Sequence, residues 1–161
     1  MKNKTALITR GAVIAALYIL LSLVSRVFNL DSGVIQVRIS EALCILPCFT
    51  PSAIWGLFAG CLLYNILTGA VIWDVIFGSI ATLIGGYFTY LLRKKPILAI
   101  LPPILSNTLI IPFVLSFAYN IEGAIWYFML TVGLGEVISC GVLGLTLYAQ
   151  LSKHRSIWEK S

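Results

Sequence analysis

Along the chain, apolar positions fall in long runs separated by short polar punctuation, and each run can be measured against a bilayer. A hydrocarbon core of about 30 Å needs roughly 20 apolar residues in a helix. The first run covers about 7–30. The next, 39–68, is too long for one span and contains Pro47 and Pro51. Pro47-Cys48-Phe49-Thr50-Pro51-Ser52 is turn chemistry, and Ser52 can cap a following helix. The run therefore divides into a short helix over 38–49 and a second over 52–68. Further spans are expected over 74–92, 96–118 and 124–151, the middle one broken or kinked by Pro102-Pro103 and Pro112. No internal repeat or low-complexity segment interrupts this series.

Charge orients the series. Lys2, Lys4 and Arg10 mark the start of the first span, Arg93-Lys94-Lys95 ends the fourth, and Lys153-His154-Arg155 ends the sixth. Cytoplasmic flanks collect Lys and Arg, and only an even number of spans puts all three clusters on one side. The expectation is an all-α bundle of six transmembrane helices, with N- and C-termini cytoplasmic, formed by one domain over residues 1–161. A retained first helix fits the N-terminus better than a cleaved signal, because no small-residue cleavage site breaks the run.

Composition agrees. The 161 residues are 60% hydrophobic and 11% charged, with a mean hydropathy of +1.00, whereas soluble chains carry about 25% charge. The net charge of +5 lies at the edges of apolar runs, which points to topology and anionic membrane lipid and not to nucleic acid. No nucleotide-binding loop, zincin motif or nucleophile with a histidine base is present, so no enzyme activity and no cofactor is expected. Cys44, Cys48, Cys61 and Cys140 lie inside apolar runs, and the single histidine, His154, is in the tail. They read as small apolar fillers, with no metal site.

The polar residues inside the runs are the candidate chemistry, since charge in a membrane needs a reason. At 1.5 Å per residue, Glu41 lies a turn inside the outer end of the second helix and Asn65 a turn from the outer end of the third. Asp74 opens the fourth, followed by Ser79 and Thr82. Asn107 is near the middle of the fifth, and Glu136 is about a dozen residues into the sixth. All fall in the outer half or near the midplane, which predicts an outward-facing cavity. Each has a plainer alternative. Asn65 and Asn107 can be interhelical glue at about 0.6 kcal/mol apiece. Asp74 can be a helix start favoured by the dipole. Arg38 can pair with Glu41 or snorkel to headgroups. Glu136 has no Lys or Arg at reachable spacing on its own helix, so it is protonated, paired across helices, or held for a ligand or ion.

Carboxylates and amides suit a donor-rich, cationic or flat solute. Trp55, Tyr64, Trp73, Phe77, Trp126 and Tyr127 are either stacking faces or interface anchors. In the first helix, Gly11-x-x-x-Ala15 and Ala12-x-x-x-Ala16 form a smooth strip where another helix can approach closely, within this chain or from a partner.

On these residues the chain resembles the substrate-binding S components of energy-coupling-factor (ECF) transporters, specifically the QueT family. The resemblance is carried by Val37-Arg38-Ile39-Ser40-Glu41-Ala42-Leu43-Cys44-Ile45-Leu46-Pro47 and by Trp73-Asp74-Val75-Ile76-Phe77-Gly78-Ser79-Ile80-Ala81-Thr82. Asn65-Ile66-Leu67-Thr68-Gly69 and Ala12-x-x-x-Ala16 are shared more broadly among S components. The resemblance implies a multi-pass protein of a bacterial cell membrane that captures a queuosine precursor, a 7-deazaguanine base or nucleoside. It also implies docking, through Ala12 and Ala16, on a transmembrane T component driven by two ATPase subunits. In that setting Glu41 or Glu136 would accept the ring N–H and exocyclic amine together. Asp74 would take a 7-aminomethyl cation, Asn65 and Asn107 the carbonyl and remaining edge, and Arg38 would donate to the carbonyl or orient Glu41. The rival expectations are an S component for another vitamin or nucleobase, an ion- or proton-coupled carrier using Glu136, and a membrane assembly subunit without a solute.

Overall fold

A computed structural model describes residues 2–30, 35–120 and 122–153, with side chains from Lys4 onward. Of the expected basic tail, His154, Arg155 and Lys160 lie outside the described residues, as do positions 31–34 of the first outer loop. The described residues form six apolar helical segments. They are α1 (Lys2–Val27), α2 (Ile39–Cys48), α3 (Ser52–Leu67), α4 (Ile72–Leu91), α5 (Pro96–Ala118) and α6 (Ile125–Ser152). Four of these, α1, α4, α5 and α6, are long and apolar enough to cross a membrane, which makes the chain a multi-pass membrane protein.

The two short helices are short for different reasons. At 16 residues, α3 spans about 24 Å. It is closed by Gly69 at φ +68, with Gly69 N–H donating to Ile66 O and Ala70 N–H to Asn65 O. That pair of bonds is a Schellman cap, and it needs a left-handed residue that glycine supplies without a Cβ penalty. The ten-residue α2 is wound as a 3₁₀ helix, and all of Ser40–Cys48 is buried. Because it is enclosed by protein, it need not match the bilayer thickness. It rests on a polar stripe of α1 at i, i+4, i+7: Tyr18 donates to Glu41, Ser22 Oγ to Ser40 Oγ at 2.8 Å, and Ser25 Oγ accepts from Ile39 N–H at 2.8 Å.

Pro47 lies in the last turn of α2, and Pro51, not Ser52, takes the N-cap position of α3, where no side-chain cap bond forms because Ser52 Oγ pairs with Thr50 Oγ1 at 2.9 Å. Pro102 lies at the start of the Leu101–Phe113 stretch after a break at Ile100, and Pro112 is followed by a π turn at Val114–Ala118. Proline withholds the N–H that an α turn would use. A second π turn, Val137–Leu143, begins directly after Glu136.

Two glycines of α3 set the α1–α3 crossing. A Cβ at Gly56 would lie 2.6 Å from Gly11 O, and one at Gly60 2.8 Å from Tyr18 Cβ. Contact this close requires bare backbone. The strip Gly11-x-x-x-Ala15 is thereby spent inside the protein, with Ala15 buried, while Ala12 and Ala16 remain exposed on the neighbouring face.

Candidate functional site

Lys4, Arg93 to Lys95 and Lys153 sit at one end of the bundle. The other end, where Arg26, Thr68, Gly69, Ala70 and Tyr119 gather, is its mouth. Below the mouth two polar cavities are stacked. The upper one, about 320 Å³, is lined by Arg26, Tyr64, Asn65, Asp74 and Tyr119 among others. The lower one, about 20 Å³, is lined by Glu41, Thr82, Asn107 and Glu136 among others. Gln36 and Arg38 line both. The lower chamber has room for about one water molecule.

All six expected site residues are therefore brought to one column, but not to one pocket. Glu41, Asn107 and Glu136 meet below, Asn65 and Asp74 above, and Arg38 stands between. The three carboxylates are 2%, 8% and 7% exposed at Glu41, Glu136 and Asp74, so none faces lipid.

Each carboxylate is held by specific donors. Glu41 accepts from the Tyr18 phenol and from Cys44 Sγ at 3.0 Å. Glu136 accepts from Asn107 Nδ2 at 2.9 Å and Cys140 Sγ at 3.2 Å. The thiol of Cys140 also lies 3.4 Å from the Glu41 carbonyl oxygen. Asp74 Oδ2 accepts from Tyr119 at 3.0 Å, and Asn65 Nδ2 donates to the Asp74 carbonyl at 3.3 Å. Burial, and then the facing Asp74 carboxylate, push the Tyr119 phenol up from its ordinary value, which keeps it a donor.

Arg38 is placed by its backbone. Its N–H donates to Ser139 Oγ at 3.2 Å, and the preceding segment lies flat on α6, where any Cβ at Gly135 would collide with the Gln36 carbonyl. The Arg38–Glu41 ion pair allowed by their spacing gives way to the Tyr18 and Cys44 bonds at Glu41. Glu41 is turned toward α1, while Arg38, extended at φ −105 and ψ 109 before the helix starts, stays at the boundary between the cavities.

Several participants escape a reading of the sequence. Cys44 and Cys140 do more than fill space, because each donates to a carboxylate one turn away on its own helix. Glu41 and Cys44 are three apart, Glu136 and Cys140 four, and that repeated spacing was the available signal. Glu41, Cys44 and Cys140 bring one carboxylate oxygen and two sulfurs within 4.8 Å of one another, with both thiols already used as donors. Tyr18, Ser22 and Ser25 recur at i, i+4, i+7 in an otherwise aliphatic span, and that spacing was the signal that could have found them. Gln36 and Tyr119 carried no comparable signal. Among the aromatic candidates, Tyr64 lines the upper cavity. Trp55, Trp126 and Tyr127 are exposed, and Trp73 and Phe77 line an apolar groove against α5.

The column and its donor set offer carboxylate, amide and guanidinium groups to a small polar solute. A family model described as QueT transporter matches residues 8–153. The chain belongs to the QueT transporter family. This is a family of transporters, not of enzymes, so the QueT membership fits the absence of a catalytic motif noted in the sequence. The queuosine precursor transporter QueT of Lactococcus lactis subsp. cremoris (strain MG1363) is 35% identical over 83 residues. That alignment takes in 52% of this chain and 48% of the relative, so the chain matches about half the length of that protein. No solved structure matches the chain.

Proposed function

We propose that this chain is the substrate-capture subunit of an ECF-type importer and that it binds a queuosine precursor, a 7-deazaguanine base or its nucleoside. The observation that carries the reading is convergence. Carboxylate and amide groups from α2, α3, α4, α5 and α6 meet in one column beneath one end of the bundle. The upper cavity is within the size range of small-molecule pockets, about 300–1,000 Å³. The basic end is cytoplasmic by the positive-inside rule, so both termini lie inside and the mouth opens outward in a bacterial cell membrane. Residues 1–161 act as one membrane-embedded binding domain.

No nucleotide-binding loop is present in this sequence, so energy for uphill delivery comes from a partner or an ion gradient, and the resemblance to S components favours the partner. Ala12 lines a groove of about 530 Å³ between α1 and α3, and Ala16 is exposed one turn further along the same face. That face is the surface on which a T component with its two ATPase subunits would dock, by the close approach that small residues permit. Purified protein in lipid nanodiscs is expected to bind a 7-deazaguanine below about 1 μM, which corresponds to roughly −8 kcal/mol or better. Absence of any calorimetric or thermal-shift response to such bases would reject the substrate assignment. Proton-driven uptake by this chain alone in proteoliposomes would reject the coupled mechanism.

A further inference from the structure

The division of the polar column into a roomy upper cavity and a water-sized lower one assigns different parts of a ligand to each. Three helices report the same descent independently. On α4 the lining passes from Asp74 above to Gly78 and Thr82 below, on α3 from Asn65 to Cys61, and on α5 from Leu115 to Ile111 and Asn107. The two cavities adjoin: Gln36 and Arg38 line both, and a Cβ at Gly78, in the lower wall, would lie 3.1 Å from the Asp74 carboxylate of the upper one. A fused ring cannot enter a chamber of about 20 Å³, whereas a single small group can.

The lower chamber is also the acidic one. It holds Glu41 and Glu136, and Asn107 spends its amide on Glu136 and keeps its carbonyl oxygen as a further acceptor. Across both cavities the formal charges of the described lining residues are Glu41, Asp74 and Glu136 against Arg26 and Arg38, one cation short of balance. Above, Asp74 uses Oδ2 for Tyr119, and its carboxylate retains acceptor sites for two adjacent N–H donors.

We infer that the flat base lies in the upper cavity against Asp74, Asn65 and Arg38, and that a short cationic arm on the base descends between Gln36 and Arg38 into the Glu41–Asn107–Glu136 socket. The inference rests on the substrate class proposed above and narrows it. The chain selects a base bearing a primary ammonium on one carbon over the neutral forms, and it excludes bases whose arm nitrogen carries a bulky group. The roles expected from sequence are exchanged: Asp74 reads the ring, and the two glutamates read the cation.

The test is calorimetry on the full chain in nanodiscs with four ligands. They are 7-aminomethyl-7-deazaguanine, its 7-cyano counterpart, unsubstituted 7-deazaguanine, and an aminomethyl base carrying a ring on its nitrogen. The aminomethyl base should bind about 10- to 100-fold tighter than the unsubstituted one, the range of a hydrogen bond to a charged group. The N-substituted base should lose that advantage. Glu136→Gln should remove the preference for the aminomethyl base over 7-deazaguanine. Asp74→Asn should weaken all binding ligands alike. Equal affinity of wild type for the four bases overturns the socket and leaves the substrate class standing, while binding of none overturns both. The wild-type selectivity among the four bases decides the matter by itself, including where Glu136→Gln fails to fold.

Discussion

Tyr18→Phe removes one oxygen and no packing volume, so it isolates the bond that fixes the floor of the column. The phenol is 1% exposed and its acceptor, Glu41, 2%. Without it, Glu41 Oε1 loses its donor and the carboxylate keeps only the Cys44 thiol, a weak donor. A buried hydrogen bond to a charged group contributes about 1.5–3 kcal/mol, so unfolding in mixed micelles should shift by that amount in the direction of lower stability. Ligand affinity should fall with it as Glu41 turns away from the chamber. A double-mutant cycle sharpens the test. In a Glu41→Gln background the same Tyr18→Phe change should cost less, with a coupling energy in the range of about 0.5–3 kcal/mol found for residues in contact. Additive effects, or an unshifted unfolding midpoint in the single variant, would show that the phenol does not hold Glu41.

Other perturbations separate packing from docking. Ala12→Leu or Ala16→Leu, on the exposed face of α1, should leave unfolding and ligand binding unchanged but abolish uptake by the assembled importer; uptake at the wild-type rate would place the docking surface elsewhere. Ala15→Leu, on the adjacent face pressed to Gly60, should instead destabilise the isolated protein by about 1–3 kcal/mol through overpacking. Gly135→Ala forces the Gln36 carbonyl off α6 and should weaken ligand binding through displacement of Arg38, with unaltered affinity counting against that placement. Thr108 Oγ1 is buried without a partner among the described residues. Thr108→Val should therefore be neutral or stabilising by up to about 1 kcal/mol, and a clear loss of stability would reveal a partner.

The membrane class, the six helices and their punctuation were legible because each depends on local terms. Transfer of apolar side chains to lipid adds residue by residue along a run, and proline and glycine act where they stand. Pro47 and Pro51 marked the division between α2 and α3, Pro102 and Pro112 the irregular turns of α5, and Gly69 the end of α3. Polar residues written into lipid are costly wherever they occur, so Glu41, Asn65, Asp74, Asn107 and Glu136 stood out before any contact was known.

Which of those residues share a chamber could not be read along the chain. That depends on the rotation and crossing of helices, set by contacts such as Gly56 on Gly11 and Gly60 on Tyr18, and on the winding of α2, which a 3₁₀ turn changes without altering its hydropathy. Tertiary packing alone placed Asp74 above Arg38 and Glu136 below it, and left the lower chamber the size of one water. It also consumed Gly11 and Ala15 inside the bundle while leaving Ala12 and Ala16 outside. Sequence determined what must be hidden from lipid, because that free energy belongs to each residue. Structure decided what it is hidden against, because that free energy belongs to pairs of residues brought together only by the fold.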